Sequence, residues 1–103
     1  MSVKISAEDN KIIAFLSGEI DHHGASALRE EIDYAIRENN PSELILDFSD
    51  VGFMDSSGIG LVMGRYKLMN EIGGTVSVQN PPIYIKKVMK LAGIDKLAKI
   101  YNK

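Results

Sequence analysis

Three stretches of this chain repeat their apolar residues at helical spacing, and short runs that alternate apolar with polar residues stand before, between and after them. Few folds accept that order, because strands joined through helices pair in parallel by right-handed crossovers. Val3 and Ile5, then Ile12, Ala14 and Leu16, flank the polar run Glu8-Asp9-Asn10 and predict a hairpin. A first helix is predicted from Asp21 to about Asn39, with Leu28, Ile32, Ala35 and Ile36 in one stripe, Asp21 as candidate N-cap and Pro41 enforcing the stop. Glu43 to Phe48 predicts the third strand, with Leu44, Leu46 and Phe48 on one face. A second helix from about Ser57 to Ile72 should close at Gly73-Gly74, where a glycine can take the left-handed conformation. Thr75 to Gln79 predicts the fourth strand. Pro81-Pro82 opens a third helix, whose stripe Ile85, Val88, Met89 and Ala92 ends at Gly93, and Leu97 to Tyr101 predicts a short fifth strand.

The expected fold is α/β: a small mixed sheet, an N-terminal hairpin followed by parallel strands, with the helices packed mainly on one face. Ser17, Asp47, Ser49, Thr75, Ser77 and Gln79 suggest a less covered second face, although Ile13, Phe15 and Ile45 interrupt it. The chain of 103 residues, 45% hydrophobic and 25% charged, suits one globular domain over residues 1–103 with a core that needs no staples. It has no cysteine, which excludes a disulfide framework and any thiolate metal site or nucleophile. No signal peptide or membrane span is expected, and a cytoplasmic setting is. Acids outnumber bases, 14 to 12, and no long basic stripe appears, so a binder of nucleic acid through phosphate contacts is disfavoured.

The same topology brings the ends of strands two and three together, so Asp21-His22-His23 and Asp55-Ser56-Ser57 are expected as neighbours. Phe53-Met54-Asp55-Ser56-Ser57-Gly58-Ile59-Gly60 delivers a carboxylate and two hydroxyls to a helix N-terminus, whose unpaired N–H groups favour added negative charge. That is a good seat for a phosphoserine. It is equally a set of capping residues. A serine hydrolase would want glycine where Met54 stands two residues before Ser56, and adjacent histidines at a helix start are commonly exposed turn residues. Asp21, His22 and His23 make a poor metal site, since consecutive helical residues point about 100° apart. Gly58-x-Gly60-x-x-x-Gly64 echoes a dinucleotide fingerprint but begins about ten residues after the predicted strand end instead of at the turn. Gly60 and Gly64 would leave a shallow strip where another backbone can come close. Ile59, Val62, Met63, Tyr66 and Met69 make one apolar stripe on this helix and Leu61, Leu68 and Ile72 another, which places it in the middle of the helical layer rather than as an exposed docking ridge.

Gly18-Glu19-Ile20-Asp21-His22-His23, the run from Phe53 to Gly60, Gly64-Arg65-Tyr66-Lys67 and Ile72-Gly73-Gly74, in register over nearly the whole chain, resemble the STAS-domain anti-sigma factor antagonists of the sporulation type. The resemblance implies a non-catalytic regulator of bacterial transcription that acts by partner switching. Unphosphorylated, such a protein binds an anti-sigma factor that is also a serine kinase, and the sigma factor is freed; phosphorylation breaks the complex and a PP2C-type serine phosphatase restores it. In the D-S-[ST]-G motif the acceptor is the serine after the aspartate, here Ser56, and Asp21 matches the acidic residue of the neighbouring loop. The implied partner surface comprises Asp21, His22, His23, Asp55, Ser56, Ser57, Gly58 and Gly60, with no cofactor or metal. Two other functions stay open on the residues: sensing of a small anionic ligand or nucleotide at the same helix terminus, and a serine hydrolase.

Overall fold

The computed structural model describes Met1–Lys103. Its order is β1 (Ser2–Glu8), β2 (Lys11–Ile20), α1 (Ala25–Asn39), β3 (Glu43–Met54), α2 (Ser56–Glu71), β4 (Thr75–Gln79), α3 (Ile83–Leu91), a 3-10 turn (Ile94–Lys96) and β5 (Lys99–Tyr101). The five strands lie in sequence order, β1 antiparallel to β2 and all later pairs parallel. Asp9 turns the hairpin with φ +54°.

Register explains the core. Ile12 pairs with Leu44 and Leu44 with Val76; Ala14, Leu46, Val78 and Ile100 line up likewise. These residues share one face, and Leu28, Ile32 and Ile36 of α1, Leu61, Val62 and Met69 of α2, and Ile85 and Met89 of α3 close over it in a single cluster. The helices therefore cover one face of the sheet, as right-handed crossovers between sequential parallel strands require. The second helix packs on α1, β3, β4 and the 3-10 turn, and Ile59, Tyr66 and Leu68 reach the cluster beside its buried residues. That accounts for most of its wide apolar arc, although Met63 and Ile72 stay exposed.

The opposite face differs from expectation. No helix covers it, yet Asp47, Ser77 and Gln79 are buried. They are closed off by one another: Gln79 Nε2 donates to Asp47 Oδ2 at 2.6 Å, Tyr101 Oη donates to Gln79 Oε1 at 3.1 Å, and Ser77 Oγ donates to Glu43 Oε2 at 3.3 Å. Asp47, Gln79 and Tyr101 are successive register partners, so this polar row crosses three strands, with the apolar Phe15 opposite Asp47 on β2.

The fifth strand begins at Lys99, two residues later than expected, and two other boundaries move further. The third strand does not stop at Phe48 but runs to Met54, because register shifts opposite Phe15–Ser17 and Gly18–Glu19 absorb extra residues and change the phase of the alternation. The buried residues Leu44, Leu46 and Phe48 are followed by Val51 and Met54, a spacing of three. In consequence Gly58 lies in the first turn after the strand, and the distance cited against a dinucleotide fingerprint no longer holds; the spacing to Gly64 still departs from it. The first helix begins at Ala25, not Asp21: the Asp21 carboxylate accepts from Gly24 N at 3.0 Å and caps a separate turn ahead of the helix. At the other end Asn40, with φ +45°, takes the left-handed position and returns its N–H to Ile36 O.

Candidate functional site

The end of β3 and the end of β2 are one structural corner. Ile20 pairs with Met54, and the N–H of Asp55 donates to Ile20 O at 3.1 Å, so Asp21 and Asp55 leave adjacent strand ends side by side. Asp55 alone connects β3 to α2. It is the N-cap, with extended backbone, and its Oδ1 accepts from Ser57 N at 2.8 Å and from the Ser57 hydroxyl. Those two bonds, with smaller contributions from the backbone and ring of His22, hold the Asp55 carboxyl below its ordinary value of 3.8. Gly58 is buried in the corner, where a Cβ would fall 2.5 Å from Met54 Cγ, so its bareness serves packing and it offers no surface to a partner.

The two hydroxyls are thereby separated by their bonding. Ser57 is half-buried and committed to Asp55. Ser56 is exposed, opens the helix, and makes no side-chain hydrogen bond. Neither serine is held against His22 or His23, which are exposed on the turn before α1 with their rings edge to face at 6.0 Å. A nucleophile held against its base is thus missing. No three His, Cys, Asp or Glu side chains gather where they could hold a metal ion.

From Ser57 a groove of about 400 Å³ runs between α1 and α2, lined by His22, Ser26, Arg29, Gly60, Gly64 and Arg65 among others. Arg65 ties the helices together: its Nε lies 2.8 Å from Asp33 Oδ1 on α1. The attraction of opposite charges holds at that distance even though the N–H is not aimed as a hydrogen bond, and Nη1 is buried without any partner. Burial lowers the Arg65 pKa most, Asp33 opposes that, and nearby Arg29 lowers it further. Neither arginine stood among the site residues expected from the sequence, although a charged residue inside the apolar arc of α2 was a usable signal. A larger groove of about 670 Å³, between α1 and β1, is rimmed by Glu30, Glu31 and Glu38 and shares no residue with this corner.

The STAS domain family model matches residues 2–103. This chain belongs to the STAS-domain family. An anti-sigma F factor antagonist of Paenibacillus polymyxa is 37% identical over 106 residues, spanning 99% of this STAS chain and 89% of that protein. An anti-sigma-B factor antagonist of Bacillus subtilis (strain 168) is 26% identical, spanning 100% of the chain and 93% of that protein. Among solved structures, the anti-sigma factor antagonist SpoIIAA in its unphosphorylated form matches with a TM-score of 0.84 at 29% identity, covering 97% of this chain and 88% of that one. The Bacillus cell fate determinant SpoIIAA in the phosphorylated form matches with 0.76 at 29% identity, covering 97% and 91%. In that relative the STAS fold is therefore common to both states.

Proposed function

We propose that this STAS-domain chain is a cytoplasmic anti-sigma factor antagonist that works by partner switching, with Ser56 as its phosphoacceptor. One observation carries the choice of residue: of the two adjacent hydroxyls, Ser57 is bound to the Asp55 cap and Ser56 is free and exposed. Unphosphorylated, the chain binds an anti-sigma factor that is also a serine kinase, and the sigma factor is released. A PP2C-type serine phosphatase reverses the modification, and the chain itself performs no chemistry.

The switch is electrostatic. A phosphate on Ser56 adds about 1.5–2 negative charges and three acceptor oxygens beside Asp55 and near the Asp21 turn. The helix N-terminus favours that charge by about 0.3–1 kcal/mol, so the fold tolerates it. In an interface the same phosphate must be desolvated against neighbouring carboxylates, at about 2–5 kcal/mol if it finds no partner. Exclusion of the partner follows without refolding.

The chain should gain one phosphate when incubated with ATP and the anti-sigma factor encoded in the same genome, followed by intact mass and site mapping. Ser56→Ala should gain none and still bind. Phosphate on Ser57 of the wild-type chain, with Ser56 unmodified, would overturn the assignment.

A further inference from the structure

Gly60 and Gly64 stand one turn apart inside α2, where alanine is the better helix former. The fold does not ask for glycine at either. Neither has a positive φ, and a Cβ built on either meets no atom within 4 Å. Gly58 and Gly74 differ, since a Cβ at those positions would collide with Met54 and with Met69 and Ser42. What the bare strip leaves room for is thus outside this chain.

The groove along the strip carries a second, independent mark. Its charged lining is Arg29 and Arg65, with His22 at one end and no carboxylate among its residues. Arg65 is 6% exposed, and its Nη1 has no hydrogen-bond partner. Asp33 is the one counter-charge, and it meets Arg65 at Nε; Arg29 forms no ion pair. Two guanidiniums sharing one carboxylate leave a positive surplus in the lining of the groove, and a guanidinium is suited to a planar carboxylate.

We propose that the α1–α2 groove seats a segment of the anti-sigma partner, whose backbone lies over Gly60 and Gly64 and whose acidic side chain meets Arg29 and Arg65. The proposal rests on the partner-switching reading and extends the interface along α2 beyond Ser56. It also supplies a reason for the sign of the switch, since a phosphate at the mouth of the groove repels an incoming carboxylate.

Titration calorimetry with the anti-sigma factor encoded in the same genome tests it, on the wild-type chain, Gly64→Ala and Arg29→Ala. Gly64→Ala should melt about 4–8 °C higher, as a gained helix former does in a chain of this size, and yet bind roughly tenfold more weakly. Arg29→Ala should keep its circular dichroism, bind roughly tenfold more weakly and lose part of the salt dependence. Wild-type affinity in either variant overturns the groove while leaving partner switching intact. A wild-type chain that binds no anti-sigma factor overturns both. Titration with inorganic phosphate or ATP is the remaining arm: uptake by the wild type that Arg29→Ala abolishes would assign the groove to a small anion instead.

Discussion

Asp55 distinguishes two serines that the sequence presents as equals. By taking both the N–H and the hydroxyl of Ser57 it caps α2 and leaves Ser56 as the free hydroxyl. Asp55→Ala should therefore lower the melting temperature and also release Ser57 as a competing acceptor, so that phosphosite mapping after kinase treatment finds both serines modified. Exclusive modification of Ser56 in that variant would show that the partner, not the cap, makes the choice. Asp47 illustrates a different balance. Burial is the largest influence on its carboxyl and pushes the pKa up, but hydrogen bonds from Ser49, Gln79 and Asn80 together outweigh it and hold the group below 3.8. The unfolded chain then binds more protons than the folded one in this range, so stability is fully present above about pH 4 and is lost as pH falls through the folded value. Asp47→Asn turns an amide toward donors that want an acceptor. It should be less stable than wild type at pH 7 and lose less on acidification, as read from urea midpoints between pH 3 and pH 7. An acid limb as steep as that of the wild type would place the titration elsewhere.

Elements end where a single residue can take an uncommon conformation or where backbones come too close for a side chain. Gly73, with φ +81°, closes α2, and the N–H of Gly74 returns to Met69 O at 2.8 Å. A Cβ on Gly74 would lie 2.6 Å from Met69 Cε and 2.9 Å from the carbonyl oxygen of Ser42, which already accepts from Thr75 N and cannot easily yield. Gly74→Ala should accordingly cost about 1–3 kcal/mol in a urea titration, opposite in sign to the gain expected at Gly64. In sequence these glycines look alike. The closing pair Gly73-Gly74 could be read from its place after an apolar stripe, whereas the difference between Gly58 and Gly60 could not, because it depends on whether Met54 or open solvent lies across from the missing side chain.

The molecule as a whole carries a charge gradient that strand order makes spatial. Residues 1–55 hold 12 Asp and Glu against 4 Lys and Arg, and residues 56–103 hold 2 against 8. Since the strands lie across the sheet in sequence order, the β1 side is acidic and the β5 side basic. The proposed acceptor and Asp55 stand at the changeover, and the field of such a gradient orients a charged partner as it approaches. Adding phosphate there should leave the fold in place. Phosphorylated and unphosphorylated chains are expected to differ by less than about 2 kcal/mol in unfolding free energy, consistent with one fold in both forms of SpoIIAA. A phosphorylated chain already unfolded in buffer would replace exclusion with an order–disorder switch.

Periodicity alone determined the element order, the parallel topology after the hairpin and the face that the helices cover, because apolar residues at strand and helix spacing have few ways to share one core. The juxtaposition of the Asp21 turn with the Asp55 corner followed from the same topology. Tertiary structure decided what period and composition cannot encode. Register shifts lengthened β3 to Met54, and hydrogen bonding across three strands buried Asp47 and Gln79 beside a half-buried Tyr101 on a face without helices. The pairing of Arg65 with Asp33 turned a charged residue of an apolar arc into the wall of a groove. Each of these depends on contacts between residues far apart in the chain, and a sequence pattern records only which face a residue must take, not which atom will meet it there.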